Sequence, residues 1–241
     1  MRKETVLKTI LFAGVFSAVA ACSNNGCTGP KGDLGPTGPQ GSQGAPAATA
    51  TYYYNSGFDT QANLSEWTVY QSGGTGSIST FLDSSAFNSP GESMGVSATG
   101  SVFVDSLIYQ VLSFDTSKDI WVEFDWLLQG LSGENEIVLR MNNVDKASIG
   151  YNGTNIFLTN SGTRYYPAPA ISTSLWHHVK MKLTPSTGLS SYWIDGLSIG
   201  TNYSTAIVPT SSPNSGDLLG IKLNFTPGDK IRIDNVQCYR Y

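Results

Sequence analysis

Ile120-Trp121-Val122-Glu123-Phe124-Asp125-Trp126-Leu127-Leu128 is the stretch whose pattern decides the fold. Ile120, Val122, Phe124, Trp126 and Leu128 alternate with Trp121, Glu123, Asp125 and Leu127. A period of two sends successive side chains to opposite faces of a pleated strand, so an apolar face packs inward while Trp121, Glu123 and Asp125 share the other face. Comparable runs occupy Ser101–Leu112, Glu136–Met141, Ala147–Tyr151, Ile156–Asn160, Trp176–Leu183, Ser191–Asp195, Leu218–Phe225 and Lys230–Tyr239. Asn152-Gly153, Asp195-Gly196 and Pro227-Gly228-Asp229 supply turns between them, and helical periodicity is almost absent. Short strands closely spaced by turns predict an all-β fold, an antiparallel jelly-roll sandwich, over residues 50–241. Trp67, Trp126 and Trp176 are the expected core anchors.

Composition narrows the function classes. The 241 residues carry 14 Lys and Arg against 18 Asp and Glu, and only 13% are charged. No basic patch marks a nucleic-acid footprint, so no nucleic-acid partner is expected. Gly, Ser, Thr, Asn and Tyr are abundant, as in short strands with polar turns on extracellular surfaces that contact sugars.

The first fifth of the chain is different. Arg2, Lys3 and Lys8 precede the apolar run from Ile10 to Ala21, which is shorter than the roughly 20 residues of a membrane span and matches the apolar part of an export signal. It ends in Val19-Ala20-Ala21-Cys22, which resembles the bacterial lipobox, with Val19 where that pattern prefers Leu. The resemblance implies a signal over residues 1–21, cleavage before Cys22 and lipid attached to Cys22. It also implies an exported protein anchored through that lipid to the membrane of the cell envelope. Ser23 rather than Asp after the cysteine implies the outer membrane and a surface-exposed position. The competing reading is an ordinary secretory signal in which the cysteine falls by chance. Loss of Arg2, Lys3, Lys8 and Glu4 with the signal leaves 11 basic and 17 acidic side chains, a net charge of −6.

Gly then recurs at 26, 29, 32, 35, 38, 41 and 44, with Pro30, Pro36 and Pro39 following three of them. Strict Gly-X-Y spacing is what the crowded axis of a triple helix demands, and Pro pre-organises polyproline II. Residues 22–48 thus resemble the collagen-like stalks of bacterial surface proteins, about 65 Å long at about 3.1 Å per residue. Two readings stand: a homotrimer through this segment, or a single-chain Gly/Pro spacer. With Cys22 acylated, Cys27 and Cys238 either pair, link chains or remain thiols.

Within the sandwich, LWHHVKMKLTPSTGLSSYWIDGLSIG (Leu175 to Gly200) resembles the core of laminin-G-like, concanavalin A-like domains. GFDTQANLSEWTV (Gly57 to Val69) is similar to their opening strand, and IRIDNVQCY (Ile231 to Tyr239) to their closing one. Lectins, binding modules, glycosidases and lyases share this fold, so the resemblance implies architecture more than activity. It also implies a structural calcium ion where first and last strands meet, with Asp59 and Asp234 as oxygen ligands.

Candidate ligand-binding residues follow from chemistry. An aromatic plate beside carboxylates suits a glycan, whose ring stacks on the aromatic while hydroxyls donate to the acids. Trp121, Glu123 and Asp125 meet that description. Trp193 and Asp195 in the YWIDG hairpin extend it, and Tyr165 and Tyr166 form an aromatic loop. Glu123-Phe124-Asp125-Trp126 is also similar to the catalytic strand of laminarinase-type glycosidases, but Leu128 stands where the last acid belongs. His177 and His178 lack any metal-binding spacing. The expected function is a non-enzymatic glycan-binding or adhesin head. A protein-interaction or structural surface module, and an atypical glycoside hydrolase, are the alternatives.

Overall fold

The computed structural model describes residues 48–71, 74–88, 91–100, 106–128, 133–142, 144–160, 163–167, 171–204, 216–226 and 228–241. The export signal, Cys22, Cys27 and the Gly-X-Y repeats lie outside these residues, as does the first part of the Ser101–Leu112 run. In chain order the elements are β1 (Thr51–Ser56), α1 (Gln61–Ser65), β2 (Thr68–Tyr70), β3 (Ile78–Asp83), β4 (Ser93–Ala98), β5 (Ser106–Leu112), β6 (Ile120–Leu127) and β7 (Glu134–Met141). There follow β8 (Val144–Tyr151), β9 (Ile156–Asn160), β10 (Thr163–Tyr165), β11 (His177–Thr184), β12 (Leu189–Ile194), β13 (Leu197–Ser204), β14 (Asp217–Asn224) and β15 (Lys230–Arg240).

Two antiparallel sheets pack as a jelly-roll sandwich. One has the order β13-β12-β11-β6-β15-β4-β3, with β1 added along β15, and the other runs β10-β9-β8-β7-β14-β5-β2. Strand β6 is central to the first sheet, and its alternation is realised: Ile120, Val122, Phe124 and Trp126 are at most 1% exposed. They meet Val179, Met181 and Leu183 of β11, Ile231 and Ile233 of β15, and Ile137, Leu139, Ile149, Leu219 and Ile221 of the facing sheet in one core. Tyr192 ties the sheets together from within. Its hydroxyl accepts from the backbone N–H of Ser148 on β8 at 3.1 Å and bonds Ser190 Oγ at 2.8 Å.

Local chemistry sets the boundaries. Asp195 (φ 51°) and Gly196 (φ 78°) join β12 to β13. Two consecutive positive φ angles make the turn whose twist matches a two-residue hairpin. The opening strand is a correction to the sequence reading: β1 covers Thr51–Ser56, whereas Gly57 to Val69 contains a helical turn before β2. Phe58 at φ 56° breaks the extended backbone, and Thr60 caps α1 by accepting from Asn63 N–H. The Tyr52–Tyr54 run divides its roles, with Tyr54 buried and receiving a 2.8 Å hydrogen bond from Trp67 Nε1 while Tyr52 is exposed. Trp67 and Trp126 are buried, but Trp176 just before β11 is only half-buried. No helix among the described residues is long and apolar enough to cross a membrane.

Tyr192→Phe removes the acceptor for Ser148 N–H in a dry core. It should cost about 1–3 kcal/mol in urea-induced unfolding at unchanged slope, and an unchanged midpoint would contradict this role for the hydroxyl.

Candidate functional site

The outward face of the first sheet is assembled by register. Trp121 on β6 lies opposite Lys182 of β11 on one side and Tyr239 of β15 on the other, and Tyr239 lies opposite Tyr52 of β1. One row along, Glu123 lies opposite Lys180 and Gln237, and Lys180 lies opposite Trp193 of β12. Five rings therefore run across the sheet. Trp193 stacks on Trp121 at 6.0 Å between centroids and 27° between planes. Tyr241 meets Trp121 edge-on at 6.2 Å, Tyr239 meets Tyr241 at 5.3 Å, and Tyr52 meets Tyr239 at 5.6 Å. Tyr52 and Tyr241 are about half exposed, at 49% and 52%, while Tyr239 is buried beneath them. The ammonium groups of Lys180 and Lys182 sit over the Trp121 ring, 4.7 and 5.3 Å from its centroid.

The carboxylates beside this strip are fully engaged. Glu123 Oε1 receives Lys180 Nζ at 2.7 Å and the Tyr239 hydroxyl, and His178 Nε2 faces Oε2 at 3.2 Å. Asp125 is buried: His178 Nδ1 lies 2.8 Å from Oδ1, and Oδ2 accepts from the side-chain amides of Asn88 at 2.9 Å and Asn235 at 2.6 Å. Burial disfavours the charged form of Glu123, but hydrogen bonds from Lys180 and Tyr239, the Lys180 charge and His178 outweigh it and hold the carboxyl below the usual Glu range. Burial and then the Glu123 carboxylate push the Tyr239 phenol well up.

The remaining sequence candidates sit elsewhere. Asp195 is committed to its hairpin, with Oδ2 2.7 Å from His177 Nδ1 and Oδ1 accepting from His178 N–H at 2.9 Å. His177 is anchored in turn to the Ser172 carbonyl at 2.7 Å. Tyr165 and Tyr166 belong to the edge of the second sheet, packing edge-on against Tyr203 and Phe157. No ring contact links them to the Trp121 strip among the described residues. Asp234 accepts from the backbone N–H groups of Asn88 at 3.0 Å and Asn235 at 2.8 Å. Asp59 lies close by, its Oδ2 3.2 Å and Asn235 Oδ1 3.9 Å from the point where a Gly57 Cβ would stand. Its Oδ1 is 2.0 Å from the corresponding point on Gly91, whose φ of 135° favours glycine. No group of three or more His, Cys, Asp or Glu with metal-binding geometry occurs among the described residues.

Lys180, Lys182, Tyr239 and Tyr241 are not candidates in the sequence, and His178 enters there only as a histidine without metal-binding spacing. A signal was present for three of them, because His178, Lys180 and Lys182 alternate with Val179, Met181 and Leu183. Which strand they neighbour was not written locally.

No family model and no curated protein sequence matches the chain. Solved structures do. A sialidase superposes with a TM-score of 0.56 at 13% identity, over 78% of this chain and 18% of that one, so the chain spans less than a fifth of the sialidase's length. The cellulose-induced protein Cip1 gives 0.55 at 13% identity, over 77% of this chain and 96% of that one. An endo-β-1,4-glucuronan lyase from the fungus Trichoderma reesei gives 0.53 at 13% identity, over 79% and 96%. The likeness is one of fold alone.

The Glu123 shift has a testable sign. A carboxyl depressed in the folded state stabilises above its unfolded pKa and loses that contribution as pH falls through the folded value. Glu123→Gln should therefore lower the melting temperature at pH 7, with the gap to the parent narrowing from about pH 5 to about pH 3. A gap independent of pH would contradict an ionised Glu123 at this position.

Proposed function

We propose that the sandwich is a non-enzymatic glycan-binding or adhesin head, exported, lipidated on Cys22 and held at the bacterial cell surface by a collagen-like stalk. The observation that carries the binding reading is the continuous strip Trp193, Trp121, Tyr241, Tyr239 and Tyr52, flanked by Lys180, Lys182 and His178 as polar partners. Flat rings offer stacking area to the C–H face of a sugar, and the ammonium groups donate to its hydroxyls. Glu123 and Asp125 support binding over hydrolysis, because a catalytic pair needs one carboxyl free to donate a proton and another free to attack. Here Glu123 Oε1 accepts from Lys180 and Tyr239, Asp125 Oδ2 accepts from Asn88 and Asn235, and the second oxygen of each lies against a ring nitrogen of His178.

A protein-binding surface is the second reading, favoured by the two ammonium groups over Trp121, which a sugar would have to displace from the ring. The calcium expectation takes Asp59 and Asp234 as oxygen ligands, with Asp59 Oδ2 and Asn235 Oδ1 lying 3.2 and 3.9 Å from the point where a Gly57 Cβ would stand. A hard cation at that point would take further oxygens from backbone carbonyls and water. The Asp234 oxygens also receive backbone N–H groups from Asn88 and Asn235, which hold its carboxylate in place.

A broad panel of oligo- and polysaccharides, presented with and without calcium, tests these readings together. Trp121→Ala should weaken the glycan that binds by at least about tenfold, about 1.4 kcal/mol, and Asp59→Asn should abolish any calcium-dependent rise in melting temperature. Absence of binding across the panel would transfer the strip to a protein partner, and calcium without effect on the parent would remove the ion. For the stalk, sedimentation of residues 23–241 should yield a homotrimer if the seven Gly-X-Y units wind together, giving three weak heads avidity. Monomer at micromolar concentration would leave them as a spacer.

A further inference from the structure

The loop after β5, the β7–β8 turn and the β11–β12 turn meet at one end of the sandwich around a cavity of about 380 Å³. That volume falls within the range of about 300–1,000 Å³ typical of small-molecule sites. Its floor is the apolar end of the core, Met141 and Leu183, which are 4% and 1% exposed. Its rim carries Thr116, Asn142 and Ser186. The charge in it is Lys146, placed there by an irregularity of the sheet. Leu139 pairs with Ala147 and Arg140 with Asp145, so Lys146 is an extra residue on β8 with no partner across the ladder. Such a bulge breaks the two-residue alternation and re-aims a side chain. Asp145 turns to the outer face, where Arg140 and Lys222 hold it, and Ala147 enters the core. Lys146 is left half-buried in the mouth between the sheets, and its side chain has no ion pair or hydrogen bond among the described residues.

We infer that this cavity binds the end of a saccharide that carries a carboxylate. A lone ammonium recognises the anion, the hydroxyl and amide rim matches sugar hydroxyls, and the Met141 and Leu183 floor takes the C–H face of one ring. The site is separate from the aromatic strip and does not depend on it.

Calorimetric titration of the full chain with D-glucuronate, with D-glucose and acetate as controls, tests the inference. Glucuronate should bind at least tenfold more tightly than either control. Lys146→Met should lose at least tenfold of that affinity, Lys146→Arg should retain it, and Trp121→Ala should leave it unchanged. If Lys146→Met does not fold, Ser186→Trp on the exposed turn blocks the mouth and should abolish binding. No glucuronate binding, affinity equal to that of acetate or glucose, or affinity unchanged by Lys146→Met or Ser186→Trp would overturn the inference.

Discussion

The pairing of β6 between β11 and β15 is the constraint on which the rest of the sandwich depends. A slip of one residue along either neighbour would turn Trp121, Glu123 and Asp125 into the core and Val122, Phe124 and Trp126 into water. Two carboxylates would then lose their partners in a dry interior, at a cost of several kcal/mol each. The same register sets Lys182 and Tyr239 on either side of Trp121 and Lys180 beside Glu123. Core and outward face are therefore specified by one alignment, and the aromatic strip is a consequence of the fold's central strand.

A second device fixes the geometry around that strand. Strand β15 shifts register between Asp234 and Gln237, with Asn235 in the left-handed region at φ 50°, a conformation Asn tolerates better than most residues. Before the shift β15 pairs with β4, and after it with β1. The irregularity also aims the Asn235 side chain at Asp125, where Asn88 joins it. Asp125 thus clamps three segments of chain, and His178 extends the network to Glu123. Through Glu123, which accepts from the Tyr239 hydroxyl, this network also holds the ring strip, the pre-organisation that the proposed binding face would use. On the second sheet, a comparable irregularity at Lys146 sends a side chain into the sandwich mouth.

What was legible in the sequence is what alternation and turn chemistry write locally. Strand β6 and the Asp195-Gly196 hairpin are read directly from Ile120 to Leu128 and from the turn pair. Strands β3, β4 and β13 are not legible from alternation, because ISTFLD, SMGVSA and LSIGTNYS mix Ser, Thr and Gly into their runs. Of the outward candidates, Trp121, Glu123 and Asp125 share a face by parity alone, and Trp193 joins them through its hairpin with β11 and the long-range pairing of β11 with β6. The placement of Tyr239 and Tyr241 against Trp121 depends on β15 pairing with β6 across more than a hundred residues, which no local pattern encodes. Asp195 carried the right chemistry for a ligand, but its oxygens close its own hairpin through His177 and His178. Side-chain type alone does not distinguish those uses.

The most direct test of the proposed glycan-binding face is a titration of the indole N–H resonances of the five tryptophans with the best oligosaccharide from the panel. The expected result is a large, saturable shift at Trp121 and Trp193, with Trp67 and Trp126 unmoved in the core. Shifts confined to other residues, or none at saturating glycan, would contradict a glycan site on the outward face of β6.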